Sequence, residues 1–156
     1  MLTQLTKLAQ ECDGRYGSDT ELQFLQNYLQ EVAQRISIYK KIRDTEDKII
    51  KQIEVKVKSK TPTAFHKNGQ DFSSICERDR RHTMRFLATA MLFNEQDKLK
   101  NTLLWQSIIM DAFHDQNPSQ MTYNMMAEVM TEDLSDEEIK LVAPALKLVQ
   151  SILGSN

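Results

Sequence analysis

The sequence predicts an all-α protein, and three observations predict it. Glycine (4) and proline (3) are scarce among 156 residues, which leaves few turns and long elements. Leu, Gln, Lys, Glu, Met and Ala are plentiful, and all favour helix. Apolar residues recur at steps of three and four along most of the chain, the period of one helix face.

Each element follows from local signals. Leu2, Leu5, Leu8 and Ala9 lie at helical spacing, so a short amphipathic helix covers residues 2–12. Asp13-Gly14 ends it, because glycine takes a left-handed cap without strain. Ser18 or Asp19 caps the next helix, with Glu21 in its first turn. Leu22, Leu25, Leu29, Val32, Ile36 and Tyr39 form an apolar stripe on it, continued by Ile42, Ile49, Ile53 and Val57. So long a straight rod overshoots a compact domain, and a bend is expected near Arg43-Asp44-Thr45. Thr61-Pro62 stops the pattern, because the residue before a proline avoids helix.

Residues 61–71 read as a loop with a turn at Asn68-Gly69. Asp71 or Ser73 caps a third helix that runs to about Asn94, and Asn94-Glu95-Gln96-Asp97 makes a corner. A fourth helix covers about 97–114, with Leu99, Leu103, Leu104, Ile108 and Met110 as its apolar residues. Asn117-Pro118-Ser119 reads as a break before a fifth helix over about 119–131. That helix carries Met121, Met125, Met126 and Met130, a spacing that suits a core face or a partner groove. Ser135 with Glu138 has the capping-box pattern of a last helix, which contains Pro144 as an expected kink. Six or seven helices in this order suggest a globin-like bundle. The length fits a single domain over 1–156, with an N-terminal helical arm over about 2–16.

A formal net charge of −2 gives no reason to expect a nucleic-acid partner. The charge is unevenly spread. Eight basic residues between Lys40 and Lys60 face four acids, whereas Asn117 to Ile139 holds six acids and no base. Two solvated helix faces are the preferred reading; complementary surfaces in an oligomer are the sharper one. No apolar run is long enough to cross a bilayer. The opening Met1-Leu2-Thr3-Gln4 lacks the basic start and apolar core of a signal peptide, so a cytosolic, reducing compartment is expected for Cys12 and Cys76. No phosphate loop, nucleophile triad or paired carboxylates appear, so catalysis is not supported. His114 sits in an acidic stretch and reads as surface.

The densest chemistry is Cys76-Glu77-Arg78-Asp79-Arg80-Arg81-His82 at the start of the third helix. A thiol near a helix N-terminus, with cations beside it, has raised thiolate character. Asp79, three residues on, shares its face. Arg80 and Arg81 read as a solvated face.

Three stretches together resemble the phycobiliproteins, the globin-like light-harvesting subunits of phycobilisomes. Gly14-Arg15-Tyr16-Gly17-Ser18-Asp19-Thr20-Glu21-Leu22 is similar to the family's pattern between arm and body. Arg35-Ile36, Ile42 and Ile49-Ile50 repeat a second pattern at the family's spacing. Cys76, Arg78, Asp79 and Arg85, followed without a gap by Thr89-Ala90-Met91-Leu92 and Leu99, repeat its most specific motif. Around them the chain diverges. His82 and Thr83 replace two aromatics, Asp71 and Phe72 replace upstream arginines, and Asn94-Glu95 replaces Gly-Asp. Two signatures further on are missing, and Trp105-Gln106-Ser107 and Gln116-Asn117-Pro118 stand in their places.

The resemblance implies a phycocyanobilin-like linear tetrapyrrole joined by a thioether to Cys76. It implies that Asp79 accepts the inner pyrrole N–H groups and that Arg78 clamps a propionate. Lys67, His66 and His82 are weaker candidates for the pigment's other contacts. Partners would be like or unlike phycobiliprotein subunits and linker proteins, with the assembly in the cytoplasm, at the thylakoid face. The rival is a non-pigmented relative that regulates, assembles or anchors phycobilisomes. A third reading is a sensor globin holding a bilin, or a haem through His82 or His66.

Overall fold

The structure, a computed structural model, describes residues 1–112 and 116–154. Among them are six helices: α1 (Leu2–Glu11), α2 (Asp19–Lys60), α3 (Ser73–Phe93), α4 (Gln96–Ala112), α5 (Gln116–Thr131) and α6 (Asp136–Leu153). A two-stranded hairpin, β1 (His66–Lys67) and β2 (Gln70–Asp71), joins α2 to α3. The all-α expectation holds. The loop expected over 61–71 contains this hairpin instead. Its turn, Asn68-Gly69, has φ of 53° and 78°, the paired positive values of the tight turn that matches strand twist.

The starts of α2 and α6 are where the sequence signals put them, whereas the N-cap of α3 is Phe72 and not Asp71 or Ser73. Ser18 accepts the Glu21 N–H and Glu21 returns the bond to Ser18; Ser135 and Glu138 do the same for α6. Asn94 closes α3 in the left-handed conformation at φ 51°, the position that glycine holds in the family pattern. The terminal carbonyls of α3 find partners on α2: Tyr28 donates to Leu92 O at 3.0 Å and Arg35 to Met91 O. Arg35 is buried and bonds Glu31 at 2.7 Å, so a cation sits at a helix C-terminus, where the dipole favours it.

The helix pattern continues through two places where the sequence suggests a bend or a break. α2 is an uninterrupted helix of 42 residues through Arg43–Thr45. α5 starts at Gln116 and runs through the segment 117–119 that reads as a corner; Pro118 falls in its first turn, where a missing N–H costs nothing. His114 is outside the described residues.

α2 packs on α3 and α5, and α6 packs on α3, α4 and α5. The core between them joins Ile42, Ile50, Ile53 and Val57 of α2 to Leu87 and Met91 of α3, Leu103 of α4 and Val142 and Val149 of α6. α5 contributes Met126 and Met130, so its methionine stripe is a core face. The first half of the α2 stripe is different. Leu29 is 59% exposed and Ile36 42%, and α1 buries no residue. At 1.5 Å per residue α2 is about 63 Å long, and its N-terminal end carries the arm. The arm is tied at one point: Thr3 N–H and hydroxyl donate to Glu95 at 2.9 and 2.6 Å, beside the N-terminal ammonium at 3.0 Å.

The two charge zones meet within the chain at three lysines, while much of both zones stays exposed. Lys41 bonds Glu138 at 2.8 Å, Lys48 pairs with Asp133, and Lys56 bonds Glu128 and Glu132 at 2.7 and 2.6 Å. They form a ladder along the seam of α2 with α5 and α6.

Candidate functional site

The hairpin delivers the chain into α3, and Asp71 accepts the Ser73 N–H at 2.8 Å at its start. Cys76 follows within the first turn, half-buried against the core. Residues three, four and seven positions on share its face, which brings Asp79, Arg80 and Thr83 into line below it. This face forms one wall of a cavity of about 300 Å³. Trp105, Gln106 and Ile109 of α4 form the opposite wall, and Thr122 and Tyr123 of α5 with Phe65 close the inner end. Arg78 and His82 stand at its rim, both exposed.

The structure therefore gathers Cys76, Arg78, Asp79 and His82 around one cavity. Lys67 and His66 lie on the exposed hairpin and are not among the lining residues. Asp79 keeps its carboxylate towards Arg78, whose Nε and Nη2 donate to Oδ1 at 3.1 and 3.0 Å. Thr83 does not pair with that carboxylate; its hydroxyl bonds the Asp79 backbone carbonyl at 3.0 Å.

Arg80 and Arg81 are not a solvated face. Arg81 is held by Glu77 at 2.8 Å, Glu46 at 3.1 Å and Asp47 at 2.6 Å, and Arg85 joins the same Glu46 at 2.7 Å. This network clamps α3 to α2 outside the cavity. Burial works against the Glu46 charge, but the two guanidinium groups outweigh it and hold its carboxyl below the usual range. Arg80 points the other way. It is 1% exposed, stacks on the Phe65 ring at 4.7 Å, and none of its three guanidinium nitrogens has a hydrogen-bond partner among the described residues. Burial pulls its pKa down, and the nearby Cys76 and Glu54 oppose that pull. An arginine stays charged nonetheless.

At the inner end, Gln106 Nε2 donates to the Tyr123 hydroxyl at 2.6 Å, and the Thr83 hydroxyl lies 3.1 Å from Gln106 Oε1. Burial pushes the Tyr123 phenol up to about 12, so it is a neutral hydrogen-bonding group. The sequence reading missed Arg80, Phe65, Gln106 and Tyr123. Arg80 had a signal, its spacing from Cys76; the others come from separate elements and had none.

Comparison with known proteins bears on this geometry. Allophycocyanin subunit beta-18 of Aglaothamnion neglectum is 21% identical over 141 residues, covering 85% of this chain and 81% of that protein. The phycobilisome protein family model matches residues 8–153, from the end of α1 to the last residue of α6. With that match over nearly its whole length, the chain belongs to the phycobilisome protein family of non-enzymatic light-harvesting proteins and has their all-α, globin-like fold.

Proposed function

We propose that the chain holds one linear tetrapyrrole, thioether-linked at Cys76, and passes excitation within or onto a phycobilisome. The observation that carries the reading is the shared face of Cys76 and Asp79 opening on a cavity between α3 and α4. The residues fit such a group. Phe86, Trp105, Ile109 and Met110 offer apolar and aromatic walls for conjugated rings, and an unpartnered buried cation waits among them. When bound, the pigment supplies absorption and energy transfer.

The protein's part is to bind and orient. Cys76 supplies the sulfur for the thioether, at a helix N-terminus where the backbone dipole favours thiolate. Asp79 is placed to accept ring N–H groups and hold the inner rings protonated. Arg78 donates to Asp79 at 3.0 Å in the free chain; with a tetrapyrrole bound, Arg78 would hold a propionate and Asp79 the ring nitrogens. His82 at the rim is a further polar contact, and Lys67 on the hairpin a more remote one. The exposed Leu2, Leu5, Leu29 and Ile36 on α1 and α2 suit pairing with another subunit, at the cytoplasmic face of the thylakoid.

Co-expression with tetrapyrrole synthesis and attachment enzymes tests the reading. The purified chain should fluoresce on a denaturing gel containing zinc and carry one pigment mass, and Cys76→Ser should lose both. A colourless chain with unmodified Cys76 would sink it. That result is the one expected of a non-pigmented regulatory, assembly or anchoring member, a reading favoured by the cavity's size, small for a ligand site.

A further inference from the structure

We infer that Arg80 is the principal anion anchor of this cavity, taking a ligand carboxylate on the guanidinium, which has no hydrogen-bond partner among the described residues. The inference rests on the tetrapyrrole reading and names the group that the ligand must bring: a free propionate rather than an ester or an uncharged substituent.

The geometry carries it. A buried cation is retained when it is paired, and its desolvation costs several kcal/mol otherwise (on the order of the values for isolated ions in proteins). Every other arginine side chain for which the structure gives polar contacts meets an acid: Arg15 with Glu21, Arg35 with Glu31, Arg43 with Asp44, Arg78 with Asp79, Arg81 with Glu77, and Arg85 with Glu46. Arg80 alone among these is at once buried and without a partner. It is also held in place. Phe65, itself 3% exposed and next to the hairpin, places its ring centroid 4.7 Å from the guanidinium carbon, a cation–π contact that holds the group. The three guanidinium nitrogens are buried without a hydrogen-bond partner among the described residues, and Arg80 is one of the residues that line the cavity.

Arg78 is a poorer anchor for the same carboxylate. It is solvent-exposed at 63% and already engaged by Asp79, so a bond from it is screened and must first displace another. A carboxylate on Arg80 forms a desolvated, charge-assisted pair. The chain lacks the arginines that the family pattern places before the cysteine. Arg80 reaches the ligand from behind it instead.

The test uses the full-length chain carrying Cys76→Ser, so that binding is reversible, and follows quenching of Trp105, its single tryptophan. The probes are biliverdin as the free diacid and as its dimethyl ester. With Arg80 present the diacid should bind about tenfold tighter or more, the worth of one hydrogen bond to a charged group. With Arg80→Met the two probes should bind within about twofold of each other on the same scale. Equal binding of both probes with Arg80 present would overturn the anchor and leave the tetrapyrrole reading standing. A preference that survives Arg80→Met and vanishes in Arg78→Met would assign the carboxylate to Arg78 and overturn it too. Failure of both probes to quench would overturn the tetrapyrrole reading itself. A ligand-free readout is independent of that reading. Arg80→Met removes an unpaired buried charge, so the unliganded protein should melt roughly 3–8 °C higher. An unchanged or lower melting temperature would mean the guanidinium is satisfied in the free protein.

Discussion

Glu95 ties the N-terminal arm to the body with a carboxylate that is 8% exposed. Burial opposes its charge, but bonds from the Thr3 hydroxyl and N–H and from the N-terminal ammonium outweigh that and draw its pKa down to about 2. A depressed acid stabilises the fold above its unfolded value near 4.5 and loses that contribution as pH falls towards 2. Glu95→Gln should therefore cost about 1–3 kcal/mol at pH 7 and progressively less towards pH 2, by urea unfolding across that range. Identical pH profiles for the two proteins would remove Glu95 as the latch. Single residues also show what the sequence could convey about the site. Cys76 and Asp79 were legible because helix spacing alone puts them on one face. Arg80 obeys the same spacing, yet arginine is almost never fully buried unless paired, so the residue type argued for solvent. An unpaired buried cation breaks that rule, which is why it marks a site.

Among the elements, α6 shows a fully legible start. Ser135 and Glu138 exchange bonds across the first turn, and Asp136 and Glu137 add favourable charge there. Ser135→Ala should cost about 1 kcal/mol in a denaturant melt, and a change within error would mean that packing alone holds that end. The hairpin was half legible. Asn68-Gly69 announced the turn, but strands of two residues are too short to show alternation. The break expected around Pro118 failed for a positional reason, since proline stops a helix interior and not a first turn. The α2 stripe misled differently. Periodicity identifies an apolar face without saying what covers it, and only the C-terminal half of that face meets the core.

At the scale of the molecule, α2, α3, α4 and α6 converge on residues with no exposure at all, Leu87 among them. Leu87→Ala should destabilise by about 2–5 kcal/mol, the range for emptying a tightly packed leucine site, in equilibrium unfolding; a loss below 1 kcal/mol would show that the surroundings collapse into the gap. The lysine ladder between α2 and the last two helices adds less, since exposed pairs are screened. Its pairing across the seam could not be read from composition, because the two charge zones lie far apart in sequence. One consequence of the unbroken α2 concerns direction. The same rod carries Leu29 and Ile36 on its uncovered end and, about 20–40 Å beyond Leu29 by helical rise, the core residues Ile42 to Val57. α2 is one continuous helix along that length. A subunit gripping the outer end would thus fix the heading of the Cys76 cavity as well as its distance, as a compass housing fixes its needle's scale. Orientation between neighbouring sites would then be a property of one helix's stiffness, inherited without any contact near the cavity.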